Sequence, residues 1–309
     1  MSKGIIEKIT GILQPQTPRW ACELTSKHLI VAGLGKHRDR IEGRLVHELP
    51  EGSVVGSLND PNIRNLEAAR SGLEDALRQA GFRGSEIAVV VPDEAARIAF
   101  LTAENLSKDP EERRAFIRWK LKKTVPFDVD SAQVAFRLLG SHHVNGGSSG
   151  KMDAGADMLV TLSPRSIVEE YESLFESLEL HAGSVLPSTL AALNLFRPPV
   201  GDSLFVKIAP DCITTSIFQQ RRAQFYRRVT DVSLYNAVYP TVLYYQDKLG
   251  GSALEQLFVC GYDSDSRSSI ADLEDKMGLH AQRLEPRGVE DIFKPALGAV
   301  HLAQPEGVL

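Results

Sequence analysis

The stretch SLFVKIAPDCITTSIF, residues 203–218, contains two apolar, β-rich runs on either side of Pro210 and Asp211. Runs of this kind, bounded by turn residues, are typical of paired strands. A third strand-like run follows at 223–229, then a helical pattern at 232–249 and a short apolar run, QLFVCG, at 256–261. This part of the chain therefore predicts three strands, a helix and a buried strand, in that order.

The same order of elements occurs near the start of the chain. Three strand-like runs, a helical stretch and a buried apolar strand follow one another at 19–25, 28–34, 40–49, 61–79 and 86–93. The two copies barely match in sequence, but the repeated order predicts two related α/β domains. The length of 309 residues also fits about two domains.

A different unit lies between the copies. Asp109 as N-cap and Pro110 in the first turn predict a helix over 109–123. Strands are predicted at 133–140 and 157–163 on either side of a Gly/Ser-rich loop, 141–156, and a helix at 164–178. The loop contains His142 and His143, but without a third ligand nearby they do not predict a metal site.

Composition excludes several classes of protein. The formal net charge of −5 argues against a nucleic-acid-binding surface, and no run approaches the roughly 18 apolar residues of a membrane span. The start, MSKGIIEKITGIL, lacks the apolar core of a signal peptide, so a cytoplasmic protein is expected. Cys22, Cys212 and Cys260 are far apart in apolar runs and are predicted to be small buried residues.

An apolar stripe at the N-terminus allows three interpretations. Ile5, Ile6, Ile9, Ile12 and Leu13 share one helical face. The stripe could dock on a membrane surface, dock on a partner or fold back on the body. Lys3 and Lys8 are too few cations for strong attraction to anionic lipid, so packing or protein contact is favoured.

Three strings resemble a known family. FIRWKLKKTVPFDVDSAQVAFRLLG (116–140), VLYYQDKLGGSALEQLFVCGY (242–262) and FKPALGAVHLA (293–303) are similar in order and spacing to segments of the PilM family. PilM is the actin-like cytoplasmic protein of type IV pilus assembly, a relative of FtsA. The resemblance implies an α/β actin-like fold of duplicated ribonuclease H-like halves, with an α+β subdomain inserted in the first half. It implies the division 1–16 (amphipathic extension), 17–91 (first half), 92–165 (inserted subdomain) and 166–309 (second half with closing helix).

Actin-like proteins hold ATP with two β-turns and a glycine pair, and the resemblance places all three in this chain. The first turn has Glu23 at the acidic position, Thr25 in place of glycine and Ile30 in place of lysine. The second turn has Lys207 in place of the metal-side aspartate and Ala209 in place of glycine. A lysine cannot hold Mg²⁺ through its water shell.

The adenosine motif departs from the family as well, since Gly261 and Tyr262 stand where a glycine pair is expected. Three altered elements favour loss of ATP binding, so no cofactor and no metal are predicted. In a variant of this interpretation, Lys207 pairs with Glu23 across the cleft. The alternative is an ATP-binding actin-like protein in which Lys207 contacts phosphate and nucleotide controls partner binding or polymerisation.

The helix at 109–123 predicts a partner site. Ile117 and Leu121 share one side, while Ala115 and Trp119 share another. A second apolar side indicates a partner groove with Trp119, Val125, Pro126 and Phe127 as contact residues. The competing interpretation is that Trp119 packs on the Pro126–Phe127 turn inside the subdomain.

The resemblance implies a scaffold of an inner-membrane pilus platform that binds the cytoplasmic tail of a PilN-like bitopic membrane protein. Such a tail would fill pockets with alternate side chains of an extended segment. Motor or other platform components are further candidate partners, and the expected location is the cytoplasm, peripheral to the inner membrane. A more distant alternative is the cytoplasmic domain of a type II secretion platform protein, for which a membrane helix is expected after the fold.

Overall fold

The computed structural model describes residues 18–104, 106–143, 154–261 and 266–301, with the side chains of 140–143 and 154–155 left out. The described strands are β1 Trp20–Leu24, β2 His28–Leu34, β3 Ile41–Glu48, β4 Glu86–Val91, β5 Arg97–Glu104, β6 Ala132–His143, β7 Ala154–Pro164, β8 His181–Pro187, β9 Ser203–Ile208, β10 Ile213–Gln219, β11 Arg222–Val229, β12 Gln256–Cys260 and β13 Ala281–Gln282. The described helices are α1 Leu66–Ala80, α2 Pro110–Leu121, α3 Arg165–Glu176, α4 Ser188–Leu193, α5 Leu234–Lys248, α6 Ser266–Met277 and α7 Lys294–Val300. Short 3₁₀ turns lie at Asp93–Ala95 and Asp291–Phe293.

The two large sheets have the same topology. The first has the order β3-β2-β1-β4-β8, and the second has the order β11-β10-β9-β12-β13. In each, three antiparallel strands come first, and the strands added beside β1 and β9 run parallel to them. The predicted duplication and the predicted actin-like α/β class are therefore confirmed.

The division into halves differs from the prediction in one respect. The second half was expected to begin at residue 166, but β8 pairs with β4 in the first sheet, and α3 packs on that same sheet. A parallel β4–β8 pair needs a crossover, and α3 provides it after the inserted subdomain. The N-terminal extension, residues 1–16, lies outside the described residues.

Both faces of each large sheet are covered, which explains why β1 is buried along its whole length. On one face of the first sheet, Cys22, Val31 and Val89 pack against α1 and α3. On the other face, Ala21, Ile30 and Val90 pack against α7, which follows the second sheet in sequence. The last of the described helices thus completes the core of the first half.

Close contact between α7 and α4 depends on one glycine. A Cβ on Gly298 would lie 1.9 Å from the carbonyl oxygen of Ala191, so a larger residue there would separate the helices. Both helices are largely buried, and α4 contributes Ala191 to the core beneath α7 and Ala192 and Leu193 to the core of the second half. The predicted closing helix is present, and it packs on the first sheet and against α4.

The inserted subdomain is a three-stranded sheet, β5-β7-β6, with α2 on one face. The predicted loop at 141–156 is shorter in the structure, because antiparallel pairing continues to His143 opposite Ala154. On the other face, Ile98 and Leu159 pack with Phe205 and Phe218 of the second half. None of the described helices is both long enough and apolar enough to cross a membrane.

Candidate functional site

The residues predicted to form a nucleotide site are brought together where the sheets face each other. Parallel β1, β4 and β8 end at one edge of the first sheet, and parallel β9 and β12 end at one edge of the second. In α/β proteins this edge carries the ligand site. Here it carries Glu23, Asp93, Lys207 and Gly261.

The first turn, between β1 and β2, is closed by the side chain of Thr25. Its Oγ1 accepts hydrogen bonds from the backbone N–H groups of His28 (2.8 Å) and Lys27 (3.3 Å) and donates to the carbonyl of His28 at 3.0 Å. Backbone N–H groups of this kind are what a phosphate-binding turn offers to its ligand. In this chain those two groups are already bonded within the turn.

The second turn, between β9 and β10, is a tight hairpin in which the Ala209 N–H donates to the carbonyl of Cys212 at 2.9 Å. Pro210 has no N–H to offer. Lys207 precedes this turn on β9 and is 1% exposed. Its Nζ lies 3.6 Å from Oδ2 of Asp93, which comes from the first half.

Asp93 is bound by several side chains from both halves, and together these residues form a buried polar cluster. Its carboxylate accepts hydrogen bonds from the Thr189 N–H (2.7 Å) and the Thr189 hydroxyl (2.6 Å), and from Thr214 of the second half at 3.5 Å. Arg228 of β11 donates to the carbonyl of Asp93. Lys207, Thr214 and Arg228 therefore tie the second half to a single residue of the first.

Glu23 lies in the same buried cluster. Burial raises the pKa of its carboxyl to about 7, although Lys207 and a hydrogen bond from Ser188 act in the opposite direction. Burial also disfavours the charged ammonium of Lys207, but the carboxylates of Asp93 and Glu23 outweigh this and raise its pKa. The predicted partner of Lys207 was Glu23, but the ion pair that the structure gives is with Asp93, which sequence reasoning missed; Glu23 accepts its hydrogen bond from Ser188 and influences Lys207 through its charge.

Two other predicted positions serve packing and turn structure. Ile30 lies directly opposite Glu23 in the β1–β2 pair and is fully buried against the α7 side of the sheet. Gly261 donates its N–H to Asp291 at 3.2 Å, and Asp291 also accepts from Arg283 at 2.5 Å. Tyr262 lies outside the described residues.

The three cysteines are buried and unpaired in disulfides, as predicted. Burial raises the pKa of Cys22 and of Cys212, and raises that of Cys260 to about 12. Thiols with raised pKa values are poor nucleophiles at neutral pH. Their role is therefore packing in the interior.

A cleft of about 1080 Å³ opens next to the two turns. Its lining includes four carboxylate residues, Glu51, Glu94, Asp211 and Asp231, with Lys27 as its basic residue among the described positions. A triphosphate would meet like charge there, and like charges in a partly enclosed site repel strongly. Two features disfavour Mg·ATP at this site: the first turn uses its own N–H groups, and Lys207 holds an ammonium where the resemblance leads one to expect a metal-side aspartate.

A second cavity, of about 320 Å³, lies between the first half and the inserted subdomain. Consecutive residues line it on two strands, 182–185 of β8 and 133–135 of β6. Side chains alternate between the faces of a strand, so consecutive lining residues mean that the cavity runs along the strand edges. β8 and β6 are the outermost strands of their sheets, so each presents unpaired backbone groups on that side. We call this cavity the edge groove.

The floor of the edge groove is apolar. It is formed by small and aliphatic residues of the first half and of the inserted subdomain, among them Val91, Ala95, Ala96, Val134, Ile167, Val185 and Pro187. The edge groove thus combines backbone hydrogen-bonding groups with an apolar surface. This combination suits an extended peptide.

The predicted partner residues lie elsewhere on the inserted subdomain. Trp119 is 69% exposed on the outer side of α2, where its ring lies 6.1 Å from that of Phe116. Val125 and Phe127 are half-buried against the core of the subdomain, and Pro126 is exposed. The competing interpretation, in which Trp119 is interior, is therefore wrong, whereas a contact role for Trp119 stays a prediction.

Two features were missed by sequence reasoning. Asp93 follows the buried strand EIAVVV, and a polar residue just beyond such a strand is a recognisable signal for the ligand-bearing edge. The edge groove had no comparable signal, because it depends on which strands are outermost. Strand order is a property of the assembled sheets.

No family model and no curated protein sequence matches this chain. Several solved structures do match. A chain of a PilM–PilN type IV pilus biogenesis complex is 15% identical with a TM-score of 0.70, covering 94% of this chain and 100% of that one. The cytoplasmic domain of EpsL, an inner-membrane component of the type II secretion system of Vibrio cholerae, is 13% identical with a TM-score of 0.51, covering 94% and 97%.

A protein of unknown function with an actin-like ATPase fold, from Bacteroides thetaiotaomicron, is 9% identical with a TM-score of 0.56, covering 94% of this chain and 98% of that one. At these identities the likeness is one of fold. The chain therefore has the actin-like fold over nearly its whole length, as do a component of a pilus biogenesis complex and a component of a secretion system.

Proposed function

We propose that this chain is a non-catalytic scaffold of a type IV pilus or related inner-membrane assembly platform, and that it binds the cytoplasmic tail of a PilN-like membrane protein. The edge groove carries the proposal, because it offers two open strand edges above an apolar floor. The resemblance of 116–140 to PilM and the likeness to a chain of a PilM–PilN complex support the same assignment. On this proposal the protein is cytoplasmic and reaches the membrane through its partner.

The scaffold would work without hydrolysing ATP. Support comes from the buried Lys207 beside Asp93 and from Thr25, which uses the N–H groups of its own turn. Motor or other platform components would then contact surfaces away from the edge groove.

The size and position of the 1080 Å³ cleft favour a second candidate, an ATP-binding actin-like protein with nucleotide-controlled partners. The carboxylates that line this cleft oppose it.

Binding of the tail can be measured by calorimetry with a synthetic peptide of the cytoplasmic segment of a PilN-like protein. Ala135→Trp should abolish binding, because Ala135 is exposed and lines the edge groove, so a large side chain there fills the groove without entering the core. Ala253→Trp, at an exposed position of the second half, is the matched control. Equal binding by Ala135→Trp and wild type would place the tail elsewhere.

A further inference from the structure

The edge groove contains one charged residue among its described lining residues, Glu172. Glu172 is half-buried on α3, and within the described part of the chain it has no hydrogen bond or ion pair. A carboxylate that is partly removed from water gains more from a cation than an exposed one does. Among the described residues, the groove therefore contains a carboxylate with no basic partner.

The charge lies at one end of the groove. α3 ends at Glu176 and β8 begins at His181, so the last turns of α3 lie beside the start of β8. Glu172 is accordingly near Ala182, whereas Ile167, one and a half turns earlier, is near the other end with Pro187. Two further carboxylates, Glu86 and Glu176, extend the acidic character around the start of β8.

We propose that the edge groove selects an extended segment with two features. One is a lysine or arginine that pairs with Glu172, and the other is a set of aliphatic side chains, a few residues before or after it, that pack on the apolar floor. The proposal rests on the proposed function and specifies its recognition chemistry. Residues 182–187 span roughly 16 Å at about 3.3 Å per residue, so the basic residue and the aliphatic anchor should be about three to five residues apart. A lysine or arginine reaches Glu172 with its charged end while its methylene stem covers Ala182 and Val185.

The expected source of such a segment also favours this charge. Cytoplasmic segments close to a membrane helix carry an excess of lysine and arginine. A groove that is apolar at one end and anionic at the other is complementary to an apolar, basic tail. The same groove would disfavour acidic segments, which gives selectivity as well as affinity.

The test uses calorimetry at about 50 mM salt with the synthetic tail peptide and with peptides in which each lysine or arginine is replaced in turn by glutamine. Glu172→Gln should weaken binding of the unmodified peptide roughly fivefold to tenfold, as removal of one partner of a half-desolvated charge pair does. One of the glutamine peptides should bind the wild-type protein as weakly as the unmodified peptide binds Glu172→Gln. The affinity of that glutamine peptide should be the same for the wild type and for Glu172→Gln. Glu169→Gln, an exposed carboxylate on the same helix, is the matched control and should bind normally.

Exchanging the charges of Glu172 and of its partner in the peptide controls for any small effect of the Glu172 substitution on folding. Glu172→Arg should bind the unmodified peptide weakly, and a peptide with glutamate at the identified basic position should recover binding to Glu172→Arg but not to wild type. If Glu172→Gln binds the unmodified peptide as wild type does, the inference is wrong while the proposed function stands. If wild type does not bind the peptide at all, the proposed function fails and the inference fails with it.

Discussion

At the scale of single residues, Lys207 is the most consequential departure from a nucleotide-binding protein. Its ammonium is 1% exposed and lies 3.6 Å from Asp93 across the junction of the two halves. A buried ion pair contributes little net stability compared with an apolar pair, but losing one partner leaves a buried charge uncompensated. The pair therefore links the two halves at their junction, and it does so only while both charges are present.

Lys207→Met should lower the free energy of unfolding by about 3 kcal/mol or more, because it leaves Asp93 without its cation. The double variant Lys207→Met/Asp93→Asn should recover part of this loss, since neither charge remains. Urea denaturation followed by circular dichroism measures both values. Lys27→Met, an exposed lysine two residues past Thr25, is the control. A loss below about 1 kcal/mol for Lys207→Met would contradict the assignment of a buried pair.

Glu23 gives a prediction on pH. Burial raises its pKa from 4.5 to about 7 in the folded protein. Between these values the folded state holds a proton that the unfolded chain has released, so the free energy of unfolding should fall as pH rises from about 4.5 to about 7. The fall is on the order of 3 kcal/mol and is complete above pH 7. In Glu23→Gln this decrease in the free energy of unfolding with pH should be absent. It is measured by comparing the urea denaturation midpoints at pH 5 and pH 7.5. An unchanged slope in the variant would show that Glu23 does not titrate in this window.

At the scale of elements, α2 has an inner and an outer side. Ile117 and Leu121 are buried in the subdomain, while Trp119 is 69% exposed. A tryptophan at that exposure contributes little to folding, so its presence on the surface favours contact with a partner.

Trp119→Ala should leave the circular dichroism spectrum and the urea midpoint nearly unchanged while weakening capture of a platform component other than the tail by about tenfold. Phe127→Ala should also weaken capture but with some loss of stability, because Phe127 packs against the core of the inserted subdomain. Lys122→Gln, an exposed charge at the end of α2, should change capture only slightly and mainly through its salt dependence. If the folded Trp119→Ala protein captures the partner as well as wild type does, Trp119 is not part of the partner surface.

Much of the arrangement of elements could be predicted from the sequence, because each strand and helix has a clear local pattern. Both three-strand runs and helix α2, with Asp109 as its cap, lie within a few residues of their predicted positions. The assignment of α3 and β8 to the first sheet could not be predicted, since it depends on a pairing between β4 and β8 that are about 90 residues apart. The link between Lys207 and Asp93 was missed for the same reason, because it joins residues from different sheets.

At the scale of the whole molecule, the acidic cleft between the halves predicts how the protein responds to nucleotide. Titration with Mg·ATP up to about 1 mM should give no saturable heat, because the lining carboxylates repel the phosphates and Thr25 closes the first turn. The double variant Asp211→Asn/Asp231→Asn removes two exposed carboxylates from the same cleft, so its titration with Mg·ATP tests the effect of the negative charge alone. Saturable binding by the wild type at micromolar concentration would support the ATP-binding alternative.

The position of α7 has a consequence for synthesis on the ribosome. Residues 294–300 cover a face of the first sheet that is formed by β1, β2 and β4, whose residues emerge first. Roughly 200 residues separate β4 from α7, which at about 5–20 residues per second is about 10–40 s of translation. Nascent chains stalled before residue 290 should be cut by protease within residues 18–91, whereas chains released after α7 should resist. During that interval Ala21, Ile30 and Val90 form an open apolar face, and a chaperone has time to bind it before the chain is complete.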